Sequence, residues 1–224
     1  MDMQDRVLRS RGLDTTIATN KLIRNTYSLL AMTLAFSAVT AGIAMALNMG
    51  PFPWFVTLGG FFGLSYMVHK NAESSSALLW VFAFTGFMGL SVGPIISFYL
   101  SIPNGSQLVM TALGSTAVIF LGLSGYALTS KRDFSFIGGF LFVGILVAFL
   151  AGLGAMFFSI PALSLAVSAM FVLLMSGLIL YQTSQLVHDP HTNYILATVS
   201  LYVSIYNLFL SLLHLLSAFS GNND

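Results

Sequence analysis

The sequence predicts an all-α, polytopic membrane bundle of seven transmembrane helices, and three observations carry that expectation. Of 224 residues, 57% are hydrophobic and only 7% charged, and the mean hydropathy is +0.89. No water-soluble domain of this size needs so much apolar surface. In lipid, only helices or closed barrels satisfy every backbone N–H and C=O. The apolar runs are long, continuous and rich in Leu, Ala and Gly. A barrel would instead show alternating strands of about ten residues. Finally, the eight basic residues are confined to the start of the chain and to alternate links between the runs.

Taken in order, Met1 to Arg24 is polar, with Arg6, Arg9, Arg11, Lys21 and Arg24 against Asp2, Asp5 and Asp14. It lacks a sustained apolar face and is expected to be a mobile tail, residues 1–24, ahead of a seven-helix domain over 25–224. It has no apolar stretch of the kind a cleaved signal peptide needs, so the first span directs insertion. That span is placed at about Thr26 to Asn48. Pro51 and Pro53 make a turn, and Trp54 marks an interface. The second span, about Trp54 to Val68, is short, and His69 to Ser76 is a loop. The third runs from about Ala77 to Leu100. Pro103-Asn104-Gly105 is a turn signal, and Asn104-Gly105-Ser106 also matches a glycosylation acceptor, which in a bacterium is a plain turn. The fourth span covers Gln107 to Thr129, the fifth Phe134 to Phe158, and the sixth opens on Pro161 and reaches about Leu186. His188-Asp189-Pro190-His191 separates it from the seventh, Tyr194 to Phe219.

Seven spans joined by short links make one bundle. All eight basic residues lie in the N-terminal segment, the Lys70 link or the Lys131-Arg132 link. The positive-inside rule then places the N-terminus in the cytoplasm and the C-terminus outside, in agreement with an odd number of spans.

Composition also excludes functions. A net charge of +1 does not suggest a nucleic-acid partner. With no cysteine, disulfides, thiolate metal sites and cysteine nucleophiles are ruled out. Every acidic residue lies outside the predicted spans, which argues against a proton-coupled transporter, because such relays use carboxylates held within the membrane. His188, Asp189 and His191 are a weak metal signal and read better as a solvated loop. No cofactor is expected.

The last helix is the informative one. On a helical wheel Ser200, Ser204, Asn207, Ser211 and His214 fall in one stripe roughly 80° wide. Such a neutral polar seam belongs against other helices, as packing contacts, or around a polar cavity or ion path. In the third span Pro94 removes a backbone hydrogen bond and should kink the helix, while Gly89 and Gly93 admit a close neighbour or form a hinge. Gly122-Leu123-Ser124-Gly125 with His214 could suggest an intramembrane serine protease, with the histidine as general base. Its other expected elements are missing, and the chain is not expected to be an enzyme.

Three stretches, Gly89–Pro94, Leu180–Thr183 and Leu201–Asn207, resemble the Bax inhibitor-1 family, and the similarity extends from Asn20 onward. It is strongest toward bacterial inner-membrane members, through Arg24–Tyr27, Ala83–Phe87 and Ala197–Tyr202. The resemblance implies seven spans with the last helix enclosed by the other six. Family members that leak calcium in a pH-dependent way carry an aspartate on each of the last two helices. The matching positions here are Gln182 and Ser204, which do not ionise. The resemblance further implies a multi-pass protein of the bacterial inner membrane. Its implied partners are the ATP-dependent protease FtsH and that protease's membrane regulatory partners, with the chain acting as a slow substrate that modulates proteolysis. An ion leak pathway is the alternative.

Overall fold

The first helix starts far earlier than the polar composition of its beginning suggests. The computed structural model describes residues 3–130 and 132–220, with side chains from residue 17 onward. Within it α1 runs unbroken from Met3 to Ala46. Residues 3–24 include four Arg and three Leu and contain no proline. Such residues extend a helix already nucleated by an apolar span, even without an apolar face of their own. The boundary at 24/25 is therefore not a break in the backbone. The stretch of α1 apolar enough to cross a bilayer is Ile17–Ala46, which includes Lys21 and Arg24. The side chains of Arg6, Arg9 and Arg11, and the whole of Lys131, lie outside the described residues.

The other helices are α2, Trp54–Asn71; α3, Ala77–Leu100; α4, Gly105–Ser130; α5, Gly138–Phe157; α6, Pro161–His188; and α7, Tyr194–Ser220. A single 3₁₀ turn, Ser135–Ile137, precedes α5. Asp133 anchors it: Ser135 donates its N–H (2.8 Å) and its hydroxyl to Oδ1, which holds that carboxyl below its ordinary range. Among the described residues there is no strand. Six of the seven helices, all but α2, are long and apolar enough to cross a membrane. Helix α2 has 18 residues and ends in His69-Lys70-Asn71, which dilutes an already short apolar run.

Turn chemistry follows the sequence. Asn104, at φ 58°, supplies the left-handed residue between α3 and α4. Gly105 follows because a Cβ there would collide with the Tyr99 carbonyl. Pro161 occupies the first turn of α6, where its missing N–H is no loss.

Small residues set the packing. Helix α1 lies along α3. A Cβ at Gly93 would sit 2.7 Å from the Ala41 carbonyl, and one at Gly89 would meet Thr40 and the Ser37 carbonyl. The two backbones therefore touch where glycine permits it. Pro94 is buried inside α3, which continues to Leu100 without interruption. Because proline has no N–H, the Leu90 carbonyl loses its usual intrahelical partner.

Helix α5 packs on α6 through reciprocal insertions, Leu174 over Gly144 and Leu141 over Gly177. Its other face, with Phe140, Phe142, Val143 and Val147, is exposed. Helix α7 packs against α1, α2, α3, α4 and α6 but not α5. It thus has five helical neighbours, where the family resemblance implied six. The Gly–Leu pairs hold α5 to the outside of α6.

Candidate functional site in the polar core

Helix α7 exposes only its end residues Tyr194 and Phe219, so its polar residues face protein. Ser204 and Ser211 are buried; Ser200, Asn207 and His214 are partly so. They do not form one continuous site. At mid-helix Ser204 Oγ donates toward Gln182 Oε1 of α6 at 3.1 Å and toward the Ser200 carbonyl at 3.0 Å. One hydroxyl proton serves one of these acceptors at a time. The two positions singled out by the family resemblance are therefore in direct contact, as a neutral pair. Asn207 donates from Nδ2 to the Val203 carbonyl of its own helix (2.9 Å).

Nearer the C-terminal end His214 makes a separate centre. Its Nδ1 lies 2.8 Å from Ser168 Oγ, and Ser168 Oγ lies 3.1 Å from the Ser164 carbonyl. Ser168 Oγ donates to one of these acceptors at a time, and whether Nδ1 donates to it or accepts from it follows the imidazole tautomer. His214, Ser159 and Ser164 border a shallow open pocket of about 480 Å³ at the junction of α5, α6 and α7. Ser124 is elsewhere: its Oγ meets Thr183 Oγ1 at 3.3 Å. The protease-like pairing of Ser124 with His214 is thus not formed.

The structure adds polar contacts that the wheel of α7 did not reveal. Ser37 of α1 and Tyr202 of α7 share a hydrogen bond of 2.7 Å, and the Tyr202 hydroxyl also lies 3.4 Å from the Thr85 carbonyl of α3. Tyr27 reaches Thr183 at 3.2 Å, and Thr198 Oγ1 lies 3.3 Å from the Thr26 carbonyl. Helices α1 and α3, and α4 through Ser124, are thus tied to α7 or its partner α6 through hydroxyls. A signal was present in α1, where Thr26, Thr33, Ser37 and Thr40 recur at helical spacing. Among the described residues no group of three His, Cys, Asp or Glu comes close enough to hold a metal ion. In the His188–His191 link Asp189 accepts the His191 N–H at 3.0 Å.

A bundle of apolar helices threaded by neutral hydroxyls and amides, with every carboxylate outside its candidate spans, defines a polytopic α-helical membrane protein without an ionisable acid in its core. The family described as "Inhibitor of apoptosis-promoting Bax1" matches residues 19–221, and the chain belongs to this Bax inhibitor-1 family. Among its relatives is the modulator of FtsH protease YccA of Escherichia coli, 47% identical over 95% of this chain and 97% of the relative. An uncharacterised protein of Pseudomonas aeruginosa is 48% identical over 90% and 91% of the two chains. An uncharacterised membrane protein of Vibrio cholerae is 44% identical over 96% and 97%.

Proposed function

We propose that this chain is a seven-span protein of the bacterial inner membrane that binds the FtsH protease and modulates it by inhibition, as a slow substrate. The observation that carries the reading is the near full-length similarity to a relative named as a modulator of that protease. In this reading α2 is a short seventh span, the N-terminus is cytoplasmic and the C-terminus periplasmic. Helix α7 is the central helix; its five helical neighbours support that placement. The basic N-terminal segment, residues 1–24, serves as the cytoplasmic handle on which an ATP-driven protease pulls. The glycine-mediated contacts of α1 with α3 and the hydroxyl bridges to α7 resist extraction, which makes degradation slow. The protease's membrane regulatory partners bind in the same assembly.

Co-purification from detergent-solubilised membranes with affinity-tagged FtsH tests the reading. Retention of the chain in near-stoichiometric amount is expected; absence from the eluate under conditions that keep FtsH hexameric contradicts it. The ion-leak alternative has one observation in its favour, the Gln182–Ser204 contact inside the bundle. That pair cannot exchange a proton between two acids, so the reading does not extend to a pH-gated leak.

A further inference from the structure

Among the described helices α5 packs only on α6 and on its own 3₁₀ turn. Its start is tied to α6 through the link that follows α4. Ser184, buried on α6, is the hub of that attachment. Its Oγ donates to the Arg132 carbonyl at 3.1 Å and accepts the Phe134 N–H at 3.0 Å. One hydroxyl thus holds the backbone on both sides of Asp133. Just beyond, the chain runs so close to α6 that a Cβ on Gly138 would sit 2.9 Å from the Tyr181 ring.

His188 stands one turn past Ser184, in the last turn of α6. Its Nδ1 lies 2.9 Å from the Ser184 carbonyl and 3.4 Å from Ser184 Oγ. A carbonyl only accepts, so Nδ1 carries a proton in this arrangement whether the ring is neutral or charged. The charge of the ring therefore depends on Nε2. A protonated His188 is a cation at a helix C-terminus, where the helix dipole favours one. It is also within electrostatic reach of the Asp133 carboxylate on the link. The neutral ring has neither attraction. The Ser135 hydroxyl and N–H hold the Asp133 carboxyl below its ordinary range, so it is ionised throughout the pH range in which histidine titrates.

The remaining charged groups at this end are few. Lys131 and Arg132 precede Asp133 in the sequence. Arg132 meets Ser184 through its backbone carbonyl, and its side chain is exposed. Asp189 accepts the His191 N–H within the link to α7. Lys21 and Arg24 of α1 are exposed. Helices α4, α5 and α7 and the 3₁₀ turn contain no Asp, Glu, Lys or Arg. Asp133 is thus the acidic group through which a charge on His188 acts on the link.

We infer that Ser184, His188 and Asp133 form a proton-operated latch for the α4–α5 link. With His188 protonated, the link is clamped to the end of α6 by the Ser184 hydroxyl and by the attraction between imidazolium and carboxylate. With the ring neutral, the Ser184 hydroxyl alone holds it, and the 3₁₀ turn and the start of α5 loosen. In the proposed topology this end lies in the cytoplasm, so the latch responds to cytoplasmic pH. It does not depend on the FtsH-binding reading.

The chain contains no cysteine, so a single nitroxide spin label reports on one position. It is placed at Phe136→Cys, exposed on the 3₁₀ turn, and in a separate sample at Phe219→Cys, exposed at the end of α7. Spectra are recorded in lipid nanodiscs at about pH 5 and pH 8. At Phe136→Cys the ratio of immobile to mobile signal is expected to fall about fivefold from the lower to the higher pH, while the label at Phe219→Cys does not respond. Adding His188→Gln should give the mobile spectrum at both pH values. His188→Lys, charged throughout this range, should give the immobile one at both. Asp133→Asn should abolish the response and His191→Gln should leave it intact. A Phe136→Cys label indifferent to pH overturns the proposal. So does a response that survives His188→Gln, a mobile spectrum in His188→Lys, or a response lost in His191→Gln.

Discussion

At the residue scale, the bundle is held by close approaches that only small residues allow and by hydroxyl pairs that only particular neighbours satisfy. Gly89 faces the Ser37 carbonyl and Thr40, so a methyl there must push α1 away from α3. Gly122 has nothing within 4 Å of an added Cβ. Gly89→Ala should destabilise by about 1–3 kcal/mol, the usual range for overpacking. Gly122→Ala should be neutral or slightly stabilising, by up to about 1 kcal/mol from helix propensity. Thermal unfolding in detergent compares the two; equal melting temperatures would show that α1 and α3 do not depend on that contact. The core pair is the other residue-scale test. Gln182 and Ser204 touch but neither ionises, so this pair gives any ion flux of the unmodified chain in liposomes no acid-pair pH gate. Replacing both by aspartate creates two carboxyls that share a proton, with one pKa raised. Flux, if present, should then change with pH as that proton is lost. Steep pH-gated calcium flux in the unmodified chain would contradict the neutral-core account.

At the scale of elements, α2 decides the number of crossings. It is the shortest of the seven described α-helices, 18 residues closing on His69-Lys70-Asn71. With α2 spanning, the 47–53 link is periplasmic and the 72–76 link cytoplasmic. Single cysteines at Gly50 and Ser74 should then label from opposite sides of the membrane, and labelling of both from one side would reduce the chain to six crossings. The sequence showed the helices well because long apolar runs bounded by Pro51, Pro103 and Pro161 are strong signals. It misjudged the start of α1, since helix extension into a polar segment leaves no apolar periodicity to read. It marked Ser204 and His214 as core residues, because a polar side chain on a spanning helix needs a reason, and Gln182 through the family resemblance. It could not show that His214 pairs with Ser168 and not with the α6 partner of Ser204, or that Ser37 meets Tyr202. Those pairings join residues 46 and 165 positions apart, and their register depends on how whole helices dock.

At the scale of the whole molecule, the proposed function puts binding in the bundle and the pulling point in residues 1–24. A variant lacking residues 1–20 keeps Lys21 and Arg24 beside the first span and should insert in the same orientation. In a pulse-chase it should outlive the full chain, and equal half-lives would remove the handle. The most direct test of modulation itself is the rate at which purified FtsH degrades a membrane-embedded substrate in proteoliposomes, measured with and without this chain at equimolar ratio. Slower substrate loss, with this chain degraded more slowly than the substrate it delays, is the result the account predicts. An unchanged rate of substrate loss while the chain is stably bound to FtsH would contradict it.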